Sequence, residues 1–180
     1  MKLILIGIQG SGKSTQGNLL SQKFSIPYLA TGQILRDLSK EDTELGAYLQ
    51  DVMNKGFLIS DEKIIEIVSG YLSREEYKNG YILDGFPRTL IQAESFKDII
   101  DYVIYLKVSD EEALKRIETR ISKEKRADDT EEAIKKRIEL FHEFTEPVLR
   151  FYQEKNVLIE VNGEQAIEDI HAAIMKAIGK

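Results

Sequence analysis

The chain reads as an α/β protein of three layers, α/β/α, built on a five-stranded parallel sheet. Three observations predict this. Five apolar runs of strand length recur, at residues 3–6, 26–29, 81–83, 102–108 and 157–161, with helical segments between them. The runs are continuous rather than alternating, which suits strands buried on both faces, and strands that alternate with helices form parallel sheets covered on both sides. A glycine-rich turn, Gly7-Ile8-Gln9-Gly10-Ser11-Gly12-Lys13-Ser14-Thr15, joins the first run to a segment with helical spacing.

The first run is too short for a secretory leader, lacks a small-residue cleavage site and enters the turn directly, so it reads as a buried strand. The turn follows the pattern glycine, four residues, Gly-Lys-Ser, in the strand–loop–helix setting of a phosphate-binding loop. Glycine permits backbone conformations that aim successive N–H groups at one anion. The start of the next helix adds partial positive charge. Lys13 supplies a full charge for the outer phosphates. Ser14 and Thr15 supply hydroxyls beside a magnesium ion, and the sequence leaves open which of them lies nearer.

At 180 residues the chain suits a single domain with a sizeable core. Its net charge of −6 argues against nucleic acid and anionic membranes as partners while permitting a local basic cluster. The absence of cysteine excludes disulfides and thiolate metal sites and fits a cytoplasmic protein. No apolar stretch is long enough to span a bilayer. Nothing demands an oligomer, and a monomer is expected.

The later helices carry cap chemistry. Ser109-Asp110-Glu111-Glu112 has the form of a capping box, and Asp129-Thr130-Glu131-Glu132 repeats it with an Asx cap before Ile134, Ile138 and Phe141. Pro147 falls inside that second pattern and predicts either a kink or two helices. Ile167, Ile170, Ile174 and Ile178 keep helical spacing and are expected to cover the sheet. Residues 30–59 are mostly helical, with Gly32, Gly46 and Gly56 at segment ends, and read as an insertion between strands that serves as a mobile flap.

The stretch Tyr81-Ile82-Leu83-Asp84-Gly85-Phe86-Pro87-Arg88-Thr89 ends a strand in an acid, a glycine and an arginine. In an open parallel sheet, ligands bind beyond the carboxyl ends of the strands. Asp84 is therefore expected near the phosphate loop, holding magnesium directly or through water, with Arg88 near the phosphates. Together with Thr31-Gly32-x-x-x-Arg36, Phe57-Leu58-Ile59-Ser60-Asp61 and Gln92, these residues closely resemble the adenylate kinase family, in order and at the family's separations, from Met1 to about Ile178. Arg116, Arg120, Arg126 and Arg137 match four arginines that the family places around its nucleotides. On spacing alone, Arg116 and Arg120 share a helix face near Glu111, Glu112 and Glu118 and read more readily as solvated.

The resemblance implies a nucleoside-monophosphate-kinase fold in a single domain over 1–180, with a helical AMP-binding insertion over about 30–59 and a short lid over about 120–129. It implies reversible, magnesium-dependent transfer of the terminal phosphate of ATP to AMP, giving two ADP. By similarity, Gly10, Ser11, Gly12, Lys13, Ser14, Thr15, Arg116, Arg120 and Gln165 take ATP. Thr31, Arg36, Phe57, Leu58, Ile59, Gly85, Phe86, Pro87, Arg88, Gln92, Arg126 and Arg137 take AMP. Ser14, Thr15 and, through water, Asp84 attend the metal. Lys13, Arg88, Arg120, Arg126 and Arg137 act on the transferring phosphate. The Gln92 amide has the donor and acceptor that the adenine edge requires, whereas pyrimidine-monophosphate kinases tend to have asparagine there. The acceptor is already an anionic oxygen, so no general base is needed, and His142 and His171 are read as structural or surface residues.

Two features depart from the family. Its loop usually reads Gly-x-Pro-Gly-Ser-Gly-Lys-Gly-Thr, where this chain has Gln9 and Ser14. Gln9 releases a fixed φ and leaves the loop less pre-organised, or else brings a polar side chain near the phosphates. Only residues 121–125 separate Arg120 from Arg126, where long family members insert a small domain, so the chain resembles the short-lid form. Asp128 and Asp129 are assigned to helix capping or to ion pairs that shape the lid. The rival readings are a kinase of UMP, CMP or another nucleoside monophosphate, and a nucleotide-dependent switch or binding module. The guanine-reading Asn-Lys-x-Asp is absent; Asn54-Lys55-Gly56-Phe57 only begins like one.

Overall fold

The run that opens the chain forms β1 (Lys2–Ile6), and its side chains alternate between two cores. Leu3 and Leu5 join Leu20, Ile82, Ile104, Ile170 and Ile174 on one face; Ile4 and Ile6 join Leu29, Leu83, Val103 and Val148 on the other. Leu3, Ile4 and Leu5 are fully buried, each contributing roughly 1.5–3 kcal/mol of apolar transfer. The computed structural model describes residues 1–122 and 128–179.

With β2 (Tyr28–Ala30), β3 (Tyr81–Asp84), β4 (Tyr102–Lys107) and β5 (Leu158–Asn162), this strand forms one sheet in the order β2-β3-β1-β4-β5. Every pairing is parallel, with Ile4 opposite Leu83 on one side and Val103 on the other. The five-stranded parallel sheet is the expected one. Strand ends differ by a residue or two. The second strand starts at Tyr28 because Pro27 has no N–H to give; its carbonyl accepts from Ile82 N at 2.9 Å. The last strand lies at an edge, so burial on both faces does not hold there: Glu160 is exposed and pairs with Lys107 at 2.9 Å.

Helices α1 (Lys13–Phe24) and α9 (Ile167–Ala177) cover the Leu3 and Leu5 face. Ile170, Ile174 and Ile178 pack inward, but Ile167 is half exposed and lines the cleft described below. The opposite face receives α2 (Thr31–Leu38), α3 (Glu44–Asn54), α4 (Asp61–Leu72), α5 (Leu90–Ser95) and, later, α8 (Glu146–Glu154). No helix among the described residues is long and apolar enough to cross a membrane.

Two helix starts behave differently from each other. Ser109 caps α6 (Asp110–Ile121), its Oγ accepting from Glu112 N at 3.4 Å. The reciprocal half of the box is supplied from elsewhere: Glu112 turns to Arg116, and Glu164 accepts from Ser109 N at 2.8 Å. Asp129 is not a cap. Thr130 takes that place, accepting from Ala133 N at 3.2 Å, and α7 (Glu131–Leu140) starts one residue later than expected. Pro147 resolves to two helices: a π-helical turn, Phe141–Thr145, ends α7, and Pro147 sits in the first turn of α8, where a missing N–H costs little.

Candidate active site

The site gathers where β1 and β3 end, at the point where the order of strands reverses about β1. A cleft of about 770 Å³ opens there, within the roughly 300–1,000 Å³ usual for small-molecule sites.

The loop between β1 and α1 forms its floor. Gly10 (φ +88°) and Gly12 (φ +91°) are left-handed, a conformation that disfavours any side chain. Gly10 also lies against α6, where a Cβ would meet the Ala113 carbonyl at 2.7 Å. Lys13 Nζ donates to the Gly7 carbonyl at 2.6 Å, the Ile8 carbonyl at 2.9 Å and Ser11 Oγ at 3.3 Å. Burial lowers its pKa to about 8; Asp84 opposes the shift, while Arg88 and Arg120 add to it. Ser11 is fully buried under the loop. Ser14 and Thr15 face the cleft at the start of α1, and Gln165 lines it from the segment before α9.

The turn after β3 supplies the next wall. Tyr28 donates to Asp84 Oδ2 at 2.6 Å, which fixes the carboxylate where it lines the cleft. Burial and Asp84 together raise the Tyr28 pKa, so the phenol stays a donor. Arg88 Nε donates to the Gly85 carbonyl at 2.9 Å. At Gly85 (φ +86°) a Cβ would lie 3.4 Å from Arg88 Nη2 and 3.6 Å from Thr31 Cβ, so these three residues meet. Burial and neighbouring Arg137 push the Arg88 pKa down, with Asp84 pulling against them. Gln92 is buried: its Oε1 accepts from Arg88 N at 2.7 Å, and its Nε2 donates to Asp61 Oδ1 at 2.7 Å. Arg36, Phe57, Leu58, Ile59, Phe86 and Pro87 complete this side of the cleft.

The third wall is an arginine cluster on α6 and α7. Arg116 pairs with Glu112 at 2.7 Å along the helix while donating to the Gly163 carbonyl at 2.8 Å and lining the cleft. Arg120 pairs with Asp129 Oδ2. Arg137 holds Asp128 at 2.7 Å, Asp129 at 3.5 Å and the Met53 carbonyl at 3.1 Å. Asp129 is 1 % exposed, which is why it does not cap α7: its carboxylate is enclosed by arginines. Arg126 lies outside the described residues.

The sequence model of the adenylate kinase family matches residues 5–157, most of the chain. The chain belongs to the adenylate kinase family. An adenylate kinase of Caldicellulosiruptor bescii is 39 % identical, covering 99 % of both chains over 213 aligned positions. One from Leptospira biflexa is 39 % identical over 184 positions, covering 98 % of this chain and 99 % of its own. One from Bacillus subtilis is 35 % identical, covering 99 % of this chain and 98 % of its own. The chain has 180 residues, so at least 33 positions of the 213-position alignment (213 less 180) hold no residue of it, whereas the Leptospira relative is of nearly equal length.

Against this family background, the described residues singled out in the sequence converge on one cleft, with Ser11 just beneath it. Three contributors were not singled out as site residues: Tyr28, Asp61 and Gln9 in its bonded role. Tyr28 lies in an ordinary strand context and Asp61 only ends the motif Phe57 to Asp61, and their partners Asp84 and Gln92 are 56 and 31 residues away, so no local pattern marks these bonds.

Proposed function

We propose that the cleft holds two nucleotides at once, ATP along the phosphate loop and AMP between α2 and the β3–α5 turn. The chain then transfers the terminal phosphate of ATP to AMP and back, giving two ADP. Membership of the adenylate kinase family supports the reaction. The observation that carries the two-site reading is a pair of buried polar atoms. Among the described residues, Thr31 Oγ1 and Arg120 Nε have no hydrogen-bond partner. Buried polar groups are rarely left so, and these two belong to the two walls assigned to different nucleotides.

In this reading the loop N–H groups from Gly10 to Thr15 and Lys13 grip the ATP phosphates. Arg116 and Gln165 lie toward its nucleoside, and Thr31, Arg36, Gly85, Arg88 and Gln92 hold AMP. Gln92 still has one N–H and one lone pair after its internal bonds, which can meet the acceptor and donor of the adenine edge. Arg88, Arg120 and Arg137, with Arg126 by resemblance, offset the repulsion of two phosphate chains brought in line. Ser14, Thr15 and Asp84 present hard oxygen donors at the cleft, a set that fits magnesium. When bound, the ion neutralises charge on the donor phosphates. The extra length of the Caldicellulosiruptor relative is assigned to the lid, here reduced to about residues 120–129. A cytoplasmic monomer is the accompanying assignment, resting on the cysteine-free composition and the self-contained fold.

Calorimetric titration with two adenosines joined by five phosphates tests the two-site reading. One equivalent per chain, binding far more tightly than ATP and displacing both ATP and AMP, is the expected result; affinity no better than that of ATP alone contradicts it.

A further inference from the structure

Gln9 stands in the phosphate loop where the family usually has proline, and its side chain reaches the arginine cluster. Nε2 donates to Asp129 Oδ1 at 2.9 Å, and Oε1 accepts from Arg137 Nη1 at 3.3 Å. The same buried carboxylate holds Arg120 through Oδ2 and Arg137 through Oδ1. A neutral amide suits this spot because it gives a donor to the acid and an acceptor to the base at once. Asp128 and Asp129 already face Arg120 and Arg137 there, so Gln9 adds connection without adding charge. Proline has no group able to form either bond.

We propose that Gln9 is a positioning residue for phosphoryl transfer: it ties the loop that grips the donor phosphates to the acid that aims Arg120 and Arg137 into the cleft. The proposal rests on the site reading above. Without the tie, Asp129 loses one of its three partners among the described residues while remaining buried, and the two guanidinium groups gain arrangements in which they miss the transferring phosphate. Each nucleotide keeps its own contacts, so the loss falls on turnover rather than on binding.

The test uses the full chain with magnesium and the variants Gln9→Ala and Gln9→Glu, measuring kcat, the KM of each nucleotide and thermal unfolding. Gln9→Ala is expected to lose roughly tenfold in kcat, the scale of a hydrogen bond to a charged group, with both KM values within about twofold of the parent. Gln9→Glu places a carboxylate against Asp129 and loses more at neutral pH. Its kcat relative to the parent recovers as pH falls toward about 5.5 and the new acid takes up a proton. Parental kcat in a folded Gln9→Ala protein overturns the proposal, as does a Gln9→Glu ratio that is flat with pH; should Gln9→Ala not fold, that ratio decides. Arg137→Ala, measured in parallel, separates the two levels. If it is crippled while the Gln9 variants are normal, only the role of Gln9 falls. If it also turns over normally, the site reading falls and takes the proposal with it.

Discussion

The Gln92 side chain is held by both ends of its amide, with Arg88 N and Asp61 together fixing which way round it lies. Asp61 Oδ1 accepts from Gln92 Nε2 and from Thr89 Oγ1, each at 2.7 Å. Removing the carboxylate leaves the amide held by the Arg88 N–H alone, which weakens its preference for the orientation that meets adenine. Asp61→Ala is accordingly expected to raise the KM for AMP about tenfold, the usual order for a lost bond to a charged group, and to leave the KM for ATP unchanged. Initial rates with each nucleotide varied in turn check this, and equal rises in the two KM values would sink it. Residues such as Lys13 and Arg88 were legible in the sequence because their chemistry is local: a loop pattern or a strand end announces each. The bonds of Asp61 and Tyr28 were not, and for Asp129 the sequence allowed an ion pair but not its partners, because an acid is explained only by the donors around it. Those donors come from as far away as Gln9, 120 residues along the chain from Asp129.

At the scale of elements, the segment read as a flap makes close contacts with α7. Gly56 (φ +73°) brings the end of α3 against α7, where a Cβ would stand 2.4 Å from the Ala133 carbonyl, and Arg137 holds the Met53 carbonyl beside it. Gly56→Ala adds a left-handed penalty of roughly 1–2 kcal/mol to a steric clash with backbone that cannot yield cheaply. A fall in Tm of roughly 5 °C is expected, read by calorimetry; an unchanged Tm would show that the contact is not maintained in solution. The junction of α6 with the π-helical turn carries a second device. His142 Nδ1 lies 2.6 Å from Glu146 Oε1, and Nε2 lies 3.0 Å from Asp110 Oδ1. The bond to Glu146, followed by that to Asp110, raises its pKa. A raised folded value means that the stabilisation is complete below the unfolded histidine value of about 6.5 and is lost as pH rises through the folded value. The imidazole is half exposed, so solvent screening holds the effect to less than about 1 kcal/mol. His142→Gln should therefore lower Tm slightly near pH 6 and not at all near pH 9. A deficit that is constant with pH would contradict the ion-pair account. Neither device was visible in the sequence, since each joins elements whose packing follows from the sheet order rather than from any local pattern. The two possibilities left by Pro147 were settled in the same way, by a π-helical turn that no spacing rule marks.

Across the whole molecule, the architecture was the most legible part. Continuous apolar runs alternating with helical segments pointed to a covered parallel sheet, and reversal of strand order about β1 then places the phosphate loop beside Asp84. The strand order itself was not readable from the runs. A chain of net charge −6 that gathers Lys13, Arg36, Arg88, Arg116, Arg120 and Arg137 around one cleft focuses positive potential where two anionic substrates must meet. That convergence is the basis of the central claim, that ATP and AMP react within a single basic cleft read for adenine by Gln92. The measurement that tests it most directly is a phosphoryl-transfer assay on the purified chain with magnesium and ATP, offering AMP, UMP, CMP and GMP in turn as acceptors. The account predicts that AMP is by far the best acceptor and yields two ADP for each AMP consumed; a preference for UMP or CMP, or no transfer to any of the four, would contradict it.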